Sequence, residues 1–316
     1  MYRSMSVLLS LALFTLISCR AKSSRVDSDS AGGGDTGHGP VCRAGSEDDE
    51  VVQDWEGIYN HQIFRGHSED GFTFTDESVL LLDHASAPDA TIDEEGQRSI
   101  YFVNGEVGKH GIWRAIENEE GVFVIDDCVR LDGVFNGDAV DPDIVRLPTG
   151  ELRMYYYEGS FIGVADPSED GVDRILAATS TDGIHFEVDG IAFEAENANE
   201  PSVVKLPDGS WLMAIASGTE GHKTLLAHSV DGLTFSLTGA GLDGGVPELM
   251  MTADGDIRCF ITGFGIESHI SRDNGATWTK ESGTRLQAEL TDVTADPSAI
   301  KISDGTTELY YKTIPL

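Results

Sequence analysis

Basic residues are scarce in this chain: 21 lysines and arginines stand against 55 aspartates and glutamates, a net charge of −34 over 316 residues. That balance excludes nucleic acid as a partner, because phosphate binding needs a basic face, and it disfavours polyanionic glycans. The acid excess reads as a solvating surface. Cysteine is rare, with Cys19, Cys42, Cys128 and Cys259 in no zinc or redox spacing; a disulfide between Cys42 and Cys128 is compatible with export. Long apolar runs are confined to residues 7–17, too short to span a bilayer and of the length of a signal-peptide core. Neither a glycine-rich phosphate loop nor a nucleophile elbow occurs. His84, His185, His222, His228 and His269 show no metal-ligand spacing.

What the chain does have is a repeat. "APDATIDEEG", "DPDIVRLPTG", "EPSVVKLPDG", "VPELMMTADG" and "DPSAIKISDG" open on Ala87, Asp141, Glu200, Val246 and Asp296, and in each a turn glycine follows eight residues after the proline. A second landmark, Ser-x-Asp-Gly or Ser-x-Asp-Asn-Gly before an aromatic, begins at Ser68, Ser180, Ser229 and Ser271, with a worn copy at Asn118. Asp-Gly and Asn-Gly between alternating apolar stretches mark tight hairpins. The unit is therefore four antiparallel strands in about 45 residues, the size of a propeller blade. The last copy stops after two strands, and the first Ser-x-Asp-Gly hairpin has no proline strand before it. Joined, they complete one blade, so the expectation is an all-β, five-bladed propeller over 53–316, closed by N- and C-terminal strands in one sheet. Residues 19–52, rich in Ser, Gly and Asp, read as a flexible tether.

This topology puts both tight turns on one face and the prolines on the other, together with variable connections at 131–140, 159–172, 188–199, 236–245 and 280–295. The first strand of a blade is innermost, and proline suits a strand start whose inner edge is unpaired. Residues two apart share a side of a strand, so Asp89, Asp141, Asp143, Glu200, Glu248 and Asp296 should ring the mouth of the central channel. Crowded carboxyls raise one another's pKa, and a protonated carboxyl beside an ionised one is the equipment of glycoside hydrolysis. Turn capping or a cation in the channel would explain the same acids. No motif for a cofactor or metal appears; structural calcium in the channel is the one ion the ring leaves room for. His84 lies in the loop before the Asp89 strand, and Trp113 and Trp211 are sugar-stacking or core aromatics.

Three resemblances sharpen these expectations. Leu16-Ile17-Ser18-Cys19 resembles the lipobox of bacterial lipoproteins, which implies a signal peptide over 1–18, lipidation at Cys19 and, with Arg20 following, an outer-membrane anchor. "SRDNGATW" resembles the Asp-box of sialidases, a structural turn, although the arginine triad of those enzymes is missing. The five-bladed frame with acid–proline strand starts resembles the glycosidases of the arabinanase/xylosidase family 43 and the levanase/invertase family 32. That likeness implies hydrolysis of a neutral carbohydrate, with Asp89 as base, Asp141 as orienting and pKa-modulating acid and Glu200 as general acid; Asp143 is an alternative to either aspartate, and by their place on the ring and its face Asp143, Glu248, Asp296 and His84 would line the substrate site. The chain departs from those families at Ala87, where they place an acid before the proline, and at Glu200, which touches its proline directly. The alternative expectation is a non-catalytic propeller that binds carbohydrate or protein.

Overall fold

The structure, a computed structural model, describes residues 57–134, 136–159, 172–217, 223–288 and 291–315, without the side chains of 136, 291, 292 and 315. The signal-peptide and tether segments, Cys19, Cys42, His222 and nearly all of the 159–172 connection lie outside those residues. What is described is a five-bladed propeller.

Blade 1 comprises Ala85–Ile92, Arg98–Asn104, Ile112–Glu117 and Phe123–Cys128. Blade 2 comprises Ala139–Arg146, Leu152–Glu158, Asp173–Ser180 and His185–Ala195, and blade 3 comprises Ala198–Lys205, Trp211–Ser217, Lys223–Ser229 and Ser236–Asp243. In blade 4 the strands are Gly245–Met251, Ile257–Gly263, Gly265–Ser271 and the short Thr279–Lys280. Blade 5 takes Thr291–Lys301 and Thr307–Pro315 from the end of the chain and Gln62–Ser68 and Thr75–Asp76 from its beginning. Gln62–Ser68 pairs antiparallel with the Thr307–Pro315 strand, so closure follows the sequence expectation. It completes the fifth blade from the two ends of the chain, leaving only the short, protected edges of a propeller.

Two features differ from the expected pattern. Blades 2 and 5 carry a fifth short strand: Arg130–Leu131 runs parallel to His185–Ala195, and Leu82–Asp83 pairs with Gln62–Ser68. Both are connectors between blades: Arg130–Leu131 pairs forward onto the outer strand of blade 2, and Leu82–Asp83 pairs back onto blade 5. The expected variable loops at 188–199 and 236–245 are mostly strand, because the outer strands continue to Ala195 and Asp243 and the next inner strands begin at Ala198 and Gly245.

The core lies between blades. Tyr101, Met154 and Phe186 fill the gap between blades 1 and 2, Tyr155, Met213 and Phe235 that between 2 and 3, and Phe74, Phe260 and Tyr311 that between 4 and 5. Trp211 is buried in the second of these layers, so it is a core aromatic. Hydroxyls add directed ties: Tyr101 donates to the Gly183 carbonyl at 2.9 Å and Tyr155 to the Gly232 carbonyl at 2.6 Å. The accepting glycines belong to the Ser-x-Asp-Gly turns. Within the four turns the serine hydroxyl donates to the aspartate Oδ1. In the first three, that oxygen also accepts two backbone N–H groups of the turn.

All five turn glycines after the proline strands have left-handed φ, between 85° and 96°. That is the conformation glycine reaches without steric cost, and it explains the fixed eight-residue offset. Cys128 is disulfide-bonded and Cys259 is a free, buried thiol, so the bonded partner lies outside the described residues.

Candidate active site at the mouth of the central channel

The five inner strands touch one another around the axis. Each is bulged at its proline: pairing with the second strand jumps from Ser86 to Asp89, Val140 to Asp143, Asn199 to Pro201, Gly245 to Glu248 and Ala295 to Ser298. A bulge of this kind places an extra residue on one strand and bends it. The residue before each proline takes left-handed φ: Ala87 44°, Asp141 52°, Glu200 48°, Val246 50° and Asp296 50°. Such a conformation costs a non-glycine residue about 1–3 kcal/mol. Five repetitions at one level of the channel mean that blade packing over-determines it.

The bulges sort the acids into two tiers. Residues after the prolines form the inner tier, and each accepts a backbone N–H from the next blade. Asp89 accepts Ile144 N–H at 2.7 Å, Asp143 accepts Val203 N–H at 3.1 Å, and Ser202 accepts Leu249 N–H at 2.9 Å. Glu248 accepts Ala299 N–H at 2.9 Å, and Ser298 closes the circle on Ala90 N–H at 2.8 Å. The two serines also donate, Ser202 to Glu248 at 2.8 Å and Ser298 to Asp89 at 3.1 Å. Five side chains thus stitch five blades into a ring.

Burial, then Glu248, drives Asp89 well above the ordinary carboxylate range; burial, then Asp89 and Glu248, does the same to Asp143. Burial raises Glu248 to about 7 against its three hydrogen bonds. Asp89, Asp143 and Glu248 each bring one oxygen within 4.8 Å of the others, close enough for a cation. Calcium, however, takes six to eight oxygens, and these three carboxyls are tied to N–H groups and biased toward protons. A calcium ion held here would compete with protons for these carboxyls and would draw its remaining oxygens from water or backbone carbonyls.

The residues before the prolines form the outer tier, at the mouth. Asp141 and Glu200 come from adjacent blades, and Asp296 from blade 5, while Ala87 and Val246 leave two apolar gaps. Asp141 is 4% exposed, and its Oδ1 has no hydrogen-bond partner. Burial and the charge of Asp296 raise it to about 7, opposed by Lys312 and the Glu200 N–H. Glu200 is half-buried; burial, then Asp141 and Asp296, hold it well above its usual value. Asp296 is ion-paired with Lys312 at 2.7 Å. Both tiers line one small cavity of about 40 Å³, room for a few waters.

The sequence-derived set is therefore split. Asp141, Glu200 and Asp296 line the cavity from before their prolines, while Asp89, Asp143 and Glu248 line it from after theirs and are tied to the backbone of the next blade. His84 is not among the residues lining the cavity; it donates from Nδ1 to the Tyr59 carbonyl at 2.5 Å and stacks on the Tyr59 ring at 4.0 Å. Trp113 is half-buried, with its indole N–H on the Lys109 carbonyl at 2.7 Å. Lys312 escaped sequence reasoning. A signal existed: it stands fifteen residues after Pro297, and the same count from the other prolines gives Val103, Tyr157, Ala216 and Thr262.

No family model and no curated protein matches the chain. Among solved structures it is similar to an endo-1,4-beta-xylanase from Bacteroides thetaiotaomicron, with 16% identity, a TM-score of 0.54 and coverage of 70% of this chain and 81% of that one. It is similar to a thermostable family-43 glycoside hydrolase at 12% identity and TM-score 0.55, covering 72% of this chain and 88% of the other. A family 117 glycoside hydrolase of the marine bacterium Zobellia galactanivorans aligns at 11% identity and TM-score 0.54, over 83% of this chain and 93% of that one. At these identities the likeness is one of fold.

Proposed function

We propose that this propeller hydrolyses glycosidic bonds of neutral poly- or oligosaccharides at the outer tier, with Glu200 as general acid and Asp141 as general base. The observation that carries this reading is the pairing of two acids from adjacent blades at one mouth, the buried one holding an oxygen with no protein partner. A general base works best with a pKa near the working pH, and Asp141 stands at about 7. Glu200, whose pKa burial and then Asp141 and Asp296 hold well above its usual value, gives its proton to the glycosidic oxygen as that bond breaks. Asp141 takes a proton from the water that attacks the anomeric carbon, a course that inverts the product where the two carboxyls stand roughly 6.5–9.5 Å apart. The cavity holds that water beneath a sugar resting across the mouth. Asp89 is less suited to be the base, since both its oxygens are engaged in the inner ring.

Hydrolysis of a panel of neutral glycans tests the reading. Glu200→Gln should abolish cleavage of natural glycans while sparing aryl glycosides whose leaving group needs no proton. Asp141→Asn should abolish both. A panel cleaved equally well by the parent and both variants refutes it. A second reading rests on Ala87, which leaves blade 1 without an outer-tier acid: a propeller that binds the same glycans and releases them unchanged. Binding to the panel without product, at any pH from 5 to 8, would favour it. We further propose that lipidation at Cys19 anchors the protein to the bacterial outer membrane, which metabolic labelling with a palmitate analogue and a Cys19→Ser control would test.

A further inference from the structure

Among the described residues only two phenylalanine, tyrosine or tryptophan side chains are exposed, Tyr59 at 37% and Phe264 at 85%. Both lie on the face of the cavity mouth. Tyr59 precedes the strand Gln62–Ser68 and is stacked on His84 at 4.0 Å, whereas Phe264 forms the whole connection between Ile257–Gly263 and Gly265–Ser271. The corresponding connections over the mouth are residues 105–111 in blade 1, 159–172 in blade 2 and 218–222 in blade 3. Blade 4 therefore has the shortest connection of these, and its single residue is an aromatic ring in water.

The turn that carries the ring is held at both ends. Gly263 faces Gly265 in the ladder, and Gly265 has φ +77° with the Leu286 carbonyl 2.7 Å from where a Cβ would stand. Ile266 N–H donates to that carbonyl at 2.9 Å. On the inner side the Thr262 hydroxyl accepts the N–H of Asp296, a residue that lines the cavity. Thr262 also pairs with Gly245, the neighbour of Val246 on the cavity wall. Phe264 lies two residues beyond Thr262 and one strand out from that wall, roughly 8 Å from it by ordinary strand spacing. A ring so placed forgoes the free energy of its own burial and meets whatever crosses the mouth toward blade 4.

We propose that Phe264 is the stacking platform of a second sugar subsite, outside the cavity on the rim of blade 4, and that the ligand is a neutral glycan chain long enough to span both. This rests on the carbohydrate reading above. A sugar offers a face of C–H groups to an aromatic ring while its hydroxyls stay in water, which suits a lone exposed phenylalanine. A protein partner would need about 800 Å² of continuous surface. Here Gly263 abuts the side chain of Glu267, which is ion-paired with Lys280 at 2.6 Å, so charge flanks the ring. The net charge of −34 repels acidic chains and leaves neutral ones.

Isothermal titration of the full chain in the Glu200→Gln background separates binding from turnover. The probes are linear xylo-, arabino-, galacto- and fructo-oligosaccharides, each as disaccharide and hexasaccharide. At least one series should bind more tightly as the hexasaccharide. Adding Phe264→Ala should weaken that hexasaccharide by roughly threefold to tenfold, the size of an aromatic contact, and leave the disaccharide unchanged. Phe264→Trp should keep the parent affinity. The C–H protons of the bound hexasaccharide should show upfield ring-current shifts that Phe264→Ala abolishes. Unchanged hexasaccharide affinity, equal weakening of both lengths, or no binding in any series overturns the proposal. So does an altered oligomeric state in Phe264→Ala with hexasaccharide affinity intact, which gives the ring to a second copy. The hydrolytic reading fails separately. Length-dependent binding through Phe264 without turnover in the parent removes hydrolysis and keeps the platform, while turnover and binding indifferent to Phe264→Ala do the reverse.

Discussion

Asp89 Oδ2 accepts the backbone N–H of Ile144 at 2.7 Å, across the boundary between blades 1 and 2. It is the first of five such bonds, and the last, from Ala90 N–H to Ser298, returns to the strand that carries Asp89. A ring assembled from separate sheets has to fix its circumference, and here side chains grip the neighbouring backbone where all five inner strands converge. The acids of the inner tier have a structural reason to be present, independent of any chemistry at the mouth.

Replacing Asp89 by alanine strips acceptors from Ile144 N–H and from the Ser298 hydroxyl. Each buried group left without a partner costs about 1–3 kcal/mol. Asp89→Ala should therefore lose several times more stability in urea unfolding than Asp89→Asn, whose amide oxygen can still accept. Equal losses for the two variants would show that the stitch contributes nothing.

The pH dependence of stability follows from the raised carboxyls. Glu248 and Asp141 stand near 7 in the fold, against roughly 4 in an unfolded chain. Between those values the folded state holds more protons, so their contribution is favourable below about pH 4 and is lost as pH rises through about 7. Thermal unfolding of Glu248→Gln, which keeps an acceptor for Ala299 N–H, should show less decline from pH 5 to pH 8 than the parent. A steeper decline in the variant contradicts the assignment.

The turn glycines separate two costs. Gly209 has φ +90° with nothing within 4 Å of an added Cβ, whereas Gly232 has φ +73° and its Cβ would meet the Trp211 ring at 2.7 Å. Gly209→Ala should cost about 1–2 kcal/mol for the left-handed backbone alone. Gly232→Ala should cost clearly more, since the clash also disturbs the carbonyl that accepts from Tyr155. Comparable melting temperatures for the two variants would mean that the Trp211 contact yields freely.

Much of this molecule was legible in the chain. The eight-residue offset from proline to turn glycine, the Ser-x-Asp-Gly hairpins and the split blade at the termini set the number of blades and the way the ring closes. They do so because turn conformation and strand alternation are local properties that residue type dictates. The gathering of Asp141, Glu200 and Asp296 at one mouth followed from the repeat alone.

What only the tertiary structure decided was the division of labour among the acids. Strand alternation puts the residues before and after a proline on one side, but the bulge and the left-handed φ at Asp141, Glu200 and Asp296 set them in separate tiers. Whether a carboxyl meets a backbone N–H, as Asp89 does, or an ammonium, as Asp296 does, depends on which strand packs beside it. Those partners lie 55 residues away for Asp89 and across a hairpin for Asp296. Burial, the first cause of the shifts at Asp89, Asp141 and Glu200, exists only once five blades close around an axis.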